Sequence, residues 1–464
     1  MTSRRGFLRS SALVSAGFLA LRGHVESALP GRRLDLYGAF VPDPEGVIDL
    51  PEGFSYRVIS RTGDEMSDGL LVPGKPDGMA AFEGEDGRVV VVRNHEISNN
   101  AAGLGAYGSK YERLGTVDRG RVYDFREGNH LFMGGTSTFV YDVRSRAKVS
   151  DYLSLAGTDR NCAGGPTPWG SWVTCEEPQN MTEGAVSQMH GFAFEVPARE
   201  AAGLVVPVPL KAMGRFRREA VAVDPVSGVV FQTEDRGDGL ITRFIPNELG
   251  KLSKGGRLQA LVVKGAAGCD TRNWKDSKGD RFPVGQKVDV EWIDIADPLS
   301  PKDDMRMVYH KKGAAVFARG EGMWYGEGEI YFACTNGGRN HSGQIFRYVP
   351  SPEEGSAGEK AVPGTLELFL ESDSTNLLEM CDNLTVAPWG DLVICEDGAN
   401  EQFLRGVTKA GEVYNLGRNA LNGSEFCGAC FAPHHPTLFV NIQSPGLTLE
   451  IQGPWAERKP LLRV

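Results

Sequence analysis

Apolar and polar residues alternate along most of this chain in short runs. VVVVRNHE, WVTCEE, VVFQTED, EIYFACTN, LVICEDG and LFVNIQ are each a few β-forming residues closed by polar ones. Runs of this kind, bounded by Gly, Pro and acidic residues, read as strands. Each follows a tight turn and another short strand, so each pair predicts a hairpin. No helical period recurs alongside them.

The hairpins resemble one another. Residues 162–177 read CAGGPTPWGSWVTCEE, and 381–398 read CDNLTVAPWGDLVICEDG. Further copies lie at 219–235, 321–337 and 427–443, with a looser one at 77–96. One strand-rich unit written six times predicts an all-β fold, a six-bladed β-propeller with loop and helix insertions. The insertions fall at 98–132 and 246–318. Both chain ends are expected to close the ring, through 46–60 and 447–454. Pro350–Gly364, rich in Glu, Gly, Ser and Pro, is expected to be a surface loop of low order.

Composition narrows the setting. With 464 residues, 59 Gly and 26 Pro, one large closed β domain is possible. A formal net charge of −10 argues against nucleic acid or an anionic membrane as partner. Ser3-Arg4-Arg5-Gly6-Phe7-Leu8-Arg9 fits a twin-arginine signal, and the apolar stretch after it is too short to span a bilayer. The expected organisation is a signal over 1–30 and a single catalytic propeller over 34–464. The chain would pass through the twin-arginine export machinery, without a membrane anchor, to the periplasm or the exterior. A monomer is the expected state. Of the eight Cys, Cys175, Cys334 and Cys395 close apolar runs and read as buried hydrophobes. Cys427 and Cys430 lack the second pair that a zinc ribbon needs.

The strand ends carry the chemistry: Asn94-His95-Glu96, Glu176-Glu177, Glu234-Asp235, Thr335-Asn336 and Glu396-Asp397. The strand starts add Cys162, Glu219, Glu321 and Asp382-Asn383. Cys162 to Glu177, Glu219 to Glu234, Glu321 to Asn336 and Asp382 to Asp397 are all 15 positions apart. A hairpin returns its second strand end to the edge where the first begins, so these residues should converge on one rim. So many carboxylates around an axis repel one another and call for cations. Oxygen donors in excess suit calcium, and a thiolate beside them suits a transition metal. His95 is expected either to ligate a metal or to support a ligand by a hydrogen bond, His434 and His435 to lie on the far rim, and His341 to stand near the site. Arg319 precedes Glu321 by two residues and should share its side of an extended segment. A guanidinium beside metals suits a phosphate.

Together RNHE (93–96), NCAGGPTPWGSWVTCEE (161–177), GRFRREA (214–220), QTEDRGDGLITRF (232–244), ARGEGMWY (318–325), CTNGG (334–338) and CDNLTVAPWGDLVICEDG (381–398) resemble the PhoX-type alkaline phosphatases. The resemblance implies hydrolysis of small phosphomonoesters outside the cytoplasm, with iron (Fe3+) and calcium as cofactors. It implies Cys162 as thiolate ligand to iron. It places Glu96, Glu219 and carboxylates among Glu176, Glu177, Glu234, Glu321, Asp382 and Asp397 on the remaining metal positions. Arg319 and Asn336 would bind substrate, with Arg319 and Glu321 at the reacting centre. One departure stands out: Arg218 occupies the place where the family is expected to carry His. Two rival readings share the propeller, a calcium-only lactonase or phosphotriesterase and a non-catalytic binding propeller.

Overall fold

The computed structural model describes residues 33–456, except 99–100, 127–129, 178–186 and 278–279. The expected signal over residues 1–30 lies outside the described residues. The fold is all-β and propeller-like, with one short α-helix, Met305–His310, among the described residues.

Six hairpins build the ring. Their inner strands are Pro76–Glu83, Asn161–Pro166, Arg218–Val223, Gly320–Gly326, Cys381–Val386 and Phe426–Phe431. Each lies against the next, and the last lies against the first. Each pairs antiparallel with the strand that follows its turn: Arg88–His95, Ser171–Glu176, Val230–Glu234, Glu329–Cys334, Leu392–Glu396 and Leu438–Ile442. Further strands extend the sheets outward. Lys287–Asp294, from the long insertion, bonds both to Gly256–Val263 and to Thr365–Glu371, joining two neighbouring sheets.

The chain ends meet in the sheets. Ser55–Arg61 pairs antiparallel with Leu447–Gln452 and completes the sheet of the last hairpin. Ile48–Pro51 pairs instead with Val413–Asn419, in the sheet before it. The core lies between sheets, where inward residues of successive strands meet. Phe231, Phe332, Phe346 and Leu368 fill one such layer, and Val393, Leu404, Val440 and Leu449 another. Each such side chain contributes about 1.5–3 kcal/mol on burial. The segment 350–364 departs from expectation. It is an ordered turn whose Glu354 and Glu359 both pair with the buried Arg243 guanidinium. An unpaired arginine there would be costly, so the loop is held down.

Around the axis the inner strands approach closely. A Cβ on Gly78 would stand 2.6 Å from Ala163 Cα, and one on Gly428 (φ +66°) would stand 2.3 Å from the Asp77 carbonyl. Trp324 reaches across and packs against three separate core clusters. The axial space lined by Trp324, Met79, Met323 and Asn383 is only about 20 Å³. The ring is thereby blocked below the strand starts, and the axial side chains face the rim above.

Candidate metal centre on the ring axis

All six inner strands begin alike. The first residue pairs with the end of the second strand, and the register slips directly after it in five of them and one residue later, after Cys427, in the sixth. The slip is a bulge, which re-aims side chains next to it. The second residue of each strand is Asp77, Cys162, Glu219, Glu321, Asp382 or Cys427. Two residues before each of these stand Lys75, Arg160, Arg217, Arg319, Met380 and Glu425. Their carbonyls accept N–H bonds from Glu96, Glu177, Asp235, Thr335, Asp397 and Gln443, at 2.8–3.3 Å. The backbone is therefore repeated six times at the rim, while the side chains it presents differ.

Seven of these side chains form three overlapping groups whose ligand atoms lie within 4.8 Å of one another: Cys162, Glu177 and Glu219; Glu219, Glu321 and Asp382; Asp382, Asp397 and Glu425. Burial pushes their acids up. It raises Glu219 and Glu321 well above the usual carboxylate range, with neighbouring carboxylates adding to it. Glu425 is raised in the same way, by burial and then by Asp382. Asp382 rises to about 7 through burial and then Asp397, and Asp397 to about 6 through burial. Burial, and then Glu219, push the Cys162 thiol well above its ordinary value. A buried acid cluster in this state needs cations before it can ionise. Its donors fit hard, oxygen-bound ions, and the thiol fits one softer metal beside them.

Six of the nine expected ligands thus fall together: Cys162, Glu177, Glu219, Glu321, Asp382 and Asp397. Glu96 lies near them but outside the three groups. Its two oxygens accept bonds from Arg160 Nη2 (2.6 Å) and Gln443 Nε2 (2.9 Å). Glu176 and Glu234 are corrections, because adjacent residues at a strand end face opposite ways. Glu176 turns into the sheet and accepts N–H bonds from Asp159 (3.0 Å), Gly191 (2.8 Å) and Phe192 (3.2 Å), besides His190 Nδ1 (2.6 Å). Glu234 accepts from the Leu240 N–H (3.0 Å), and Asp235 takes the axial side. Asn336 is also displaced. Its hairpin turn is shorter, so Thr335 holds the rim position, while the Asn336 carbonyl accepts from Trp274 Nε1 (2.7 Å).

Arg319 stands where expected. Nε donates to Asp235 Oδ1 (2.6 Å) and Nη2 to Glu321 Oε1 (2.8 Å). Arg218 faces the other way. It is fully buried, donates to Gln232 and to the Met213 and Gly214 carbonyls, and lies over Phe216. The departure from the family pattern therefore falls in the sheet, away from the axis. His95 bonds the Gly74 carbonyl and Ser137 within its own sheet. His434 is exposed, and His341 lies over Trp274 at 5.2 Å. Residues overlooked in the sequence include Asp77, Glu425 and Arg160; Asp235 stands among the strand-end acids of the sequence but was not expected as the axial member of its pair. Glu425 was legible as the residue at the place of Arg319 in another copy of the repeat. All eight Cys are free. Cys427 shares the register of Cys162, with its Sγ 3.0 Å from the Pro76 carbonyl.

The sequence matches the family described as Alkaline phosphatase PhoX over residues 35–127 and 110–446. The chain belongs to the PhoX family. That membership makes it a phosphatase. PhoX from Pseudomonas fluorescens, solved in complex with vanadate, a transition state analogue, superposes with a TM-score of 0.63 at 17% identity, over 91% of this chain and 98% of that one. At that identity the likeness concerns the fold. A Xanthomonas campestris gluconolactonase reaches a TM-score of 0.38 at 14% identity, over 91% of this chain and 100% of that one. A luciferin-regenerating enzyme reaches 0.42 at 9% identity, over 87% and 96%. Neither supports any inference about this chain. No curated protein matches the sequence.

Proposed function

We propose that this PhoX chain is an extracytoplasmic alkaline phosphatase that hydrolyses phosphate monoesters at an axial cluster of iron and calcium. The observation that carries the proposal is the set of three overlapping ligand groups, one containing a thiol, beneath a rim of arginines. Cys162, Glu177 and Glu219 would hold iron. Glu219, Glu321, Asp382, Asp397 and Glu425 would hold calcium. Bound metals supply Lewis acidity toward phosphoryl oxygens.

The chain's own residues then have definite tasks. Arg319 is fixed by Asp235 and Glu321 and offers its remaining N–H groups to a nonbridging phosphoryl oxygen, where charge develops. Asp235 orients Arg319 through both carboxylate oxygens, at 2.6 and 3.2 Å. Trp324 and the close-set inner strands block the axis from below, so substrate enters over the arginine rim. A lactonase using calcium alone has no need of a thiol donor, so Cys162 favours the phosphatase reading over that rival.

The test is spectroscopic. The exported protein is expected to contain iron and to show a visible thiolate-to-iron band, which Cys162→Ser removes while the circular dichroism stays that of the wild type. Unchanged iron content and absorption in Cys162→Ser would sink the assignment. The twin-arginine route is tested by replacing Arg4 and Arg5 with Lys, which is expected to retain the protein in the cytoplasm.

A further inference from the structure

Three arginines occupy one structural position in three consecutive hairpins. Arg160, Arg217 and Arg319 each stand two residues before an axial side chain, and their carbonyls accept the N–H of Glu177, Asp235 and Thr335. Their side chains are linked through acids into one arc: Glu96, Arg160, Glu177, Arg217, Asp235, Arg319, Glu321. The successive ion pairs measure 2.6, 2.7, 3.0, 3.2, 2.6 and 2.8 Å. The arc uses Nη2 of all three, and Nε of Arg217 and Arg319. Among the described residues Nη1 of each arginine forms no hydrogen bond, and the buried Nε of Arg160 has no partner. The side chains are 37%, 29% and 33% exposed, so all three also reach solvent.

This exceeds what one phosphoryl group requires. Neighbouring guanidinia share one carboxylate oxygen, Glu177 Oε2 between Arg160 and Arg217 and Asp235 Oδ2 between Arg217 and Arg319, so the row continues past Arg319 by two further guanidinia. The row is also one-sided. The same position carries Met380 and Glu425 in the two hairpins beyond Arg319, beside Asp382 and Asp397. Anion-binding groups therefore extend from Arg319 in one direction only. A guanidinium with an open N–H edge suits the oxygens of a phosphate or carboxylate.

We propose that Arg160 and Arg217 form a second anion subsite beside the reacting phosphate, and that the preferred substrates are phosphate monoesters whose leaving group carries another phosphate or a carboxylate. The inference rests on the phosphomonoesterase reading. Arg319 takes the phosphoryl group that is cleaved, and Arg217 with Arg160 takes the distal anion.

The test uses matched compounds on the metal-loaded full-length chain. Hydrolysis is compared for propyl phosphate, propane-1,3-diol bisphosphate and 3-phosphonooxypropanoate. Binding is compared by calorimetry for propylphosphonate and propane-1,3-bisphosphonate, which are not hydrolysed. Wild type is expected to favour the doubly anionic esters at least tenfold in kcat/KM, mainly through KM, and to bind the bisphosphonate correspondingly tighter. Arg160→Gln and Arg217→Gln are each expected to bring both ratios toward one, and Arg217→Lys to recover part of the preference. The comparison of the two esters distinguishes the distal anion: a gain for the bisphosphate alone assigns phosphate, a gain for both assigns either anion. General damage to the metal centre would lower all substrates together and leave the ratios unchanged. Ratios near one in wild type, or ratios unaffected by the substitutions, overturn the subsite. If no ester is hydrolysed but the bisphosphonate keeps its arginine-dependent advantage, the subsite stands and the phosphatase reading falls.

Discussion

At the scale of single residues, the site depends on which of two adjacent acids faces the axis. Glu177, Asp235 and Asp397 do, and Glu176, Glu234 and Glu396 do not. A sequence shows the pair but not the phase. The phase is set by the bulge and by turn length, and one residue of slip exchanges the two faces. The equal spacing of 15 that fitted Cys162 with Glu177 and Asp382 with Asp397 therefore misled for Glu234 and Asn336, whose hairpins turn differently. Cys162 and Arg319 were legible because each stands at a strand start, where the register is common to all copies. Arg319→Ala is expected to raise the inhibition constant for inorganic phosphate at least tenfold while bound metal stays near wild type. Equal phosphate inhibition in the two proteins would refute its role.

At the scale of elements, the acids facing away from the axis hold the strand ends that carry the ligands. Glu176 is bonded to His190, which also meets Asp124 Oδ2 at 3.2 Å, all with buried side chains. Burial opposes charge on His190, but Glu176 and Asp124 prevail and push its pKa up to about 10. His190→Leu leaves two carboxylates without this partner and is expected to destabilise the fold by about 3–5 kcal/mol, the cost of breaking a buried ion pair. Chemical denaturation measures it, and a loss below about 1 kcal/mol would contradict the role given to the network. His190 was not legible in the sequence, since it reaches Glu176 from outside the repeated hairpin. Trp169 and Trp389 sit in turns, whereas the axis is blocked by Trp324, from a strand.

For the whole molecule, the repeat made the ring readable and the insertions hid the rest. The hairpins, the strand at 55–61 that joins the last sheet, and the rim position of the acids follow from a unit written over and over. The joining of two sheets through Lys287–Asp294 does not, because that strand belongs to an insertion with no second copy. The acid-rich axis also makes stability depend on metal and pH. Asp382 and Asp397 have folded pKa values of about 7 and about 6, above the usual 3.8. The fold then keeps protons that the unfolded chain releases, so their contribution is fully present below about pH 4 and is lost as pH rises toward 7. Metal-stripped protein is expected to melt at lower temperature at pH 8 than at pH 5, and added calcium to restore most of the difference. A melting temperature that rises over that interval without metal would contradict this assignment.

The most direct measurement is hydrolysis of an aryl phosphomonoester at alkaline pH by the exported protein, before chelation, after removal of its metals, and after iron and calcium are returned. Turnover is expected that chelation abolishes and the two metals restore together. Turnover that survives complete metal removal, or none in a folded and metal-replete chain, would contradict this expectation.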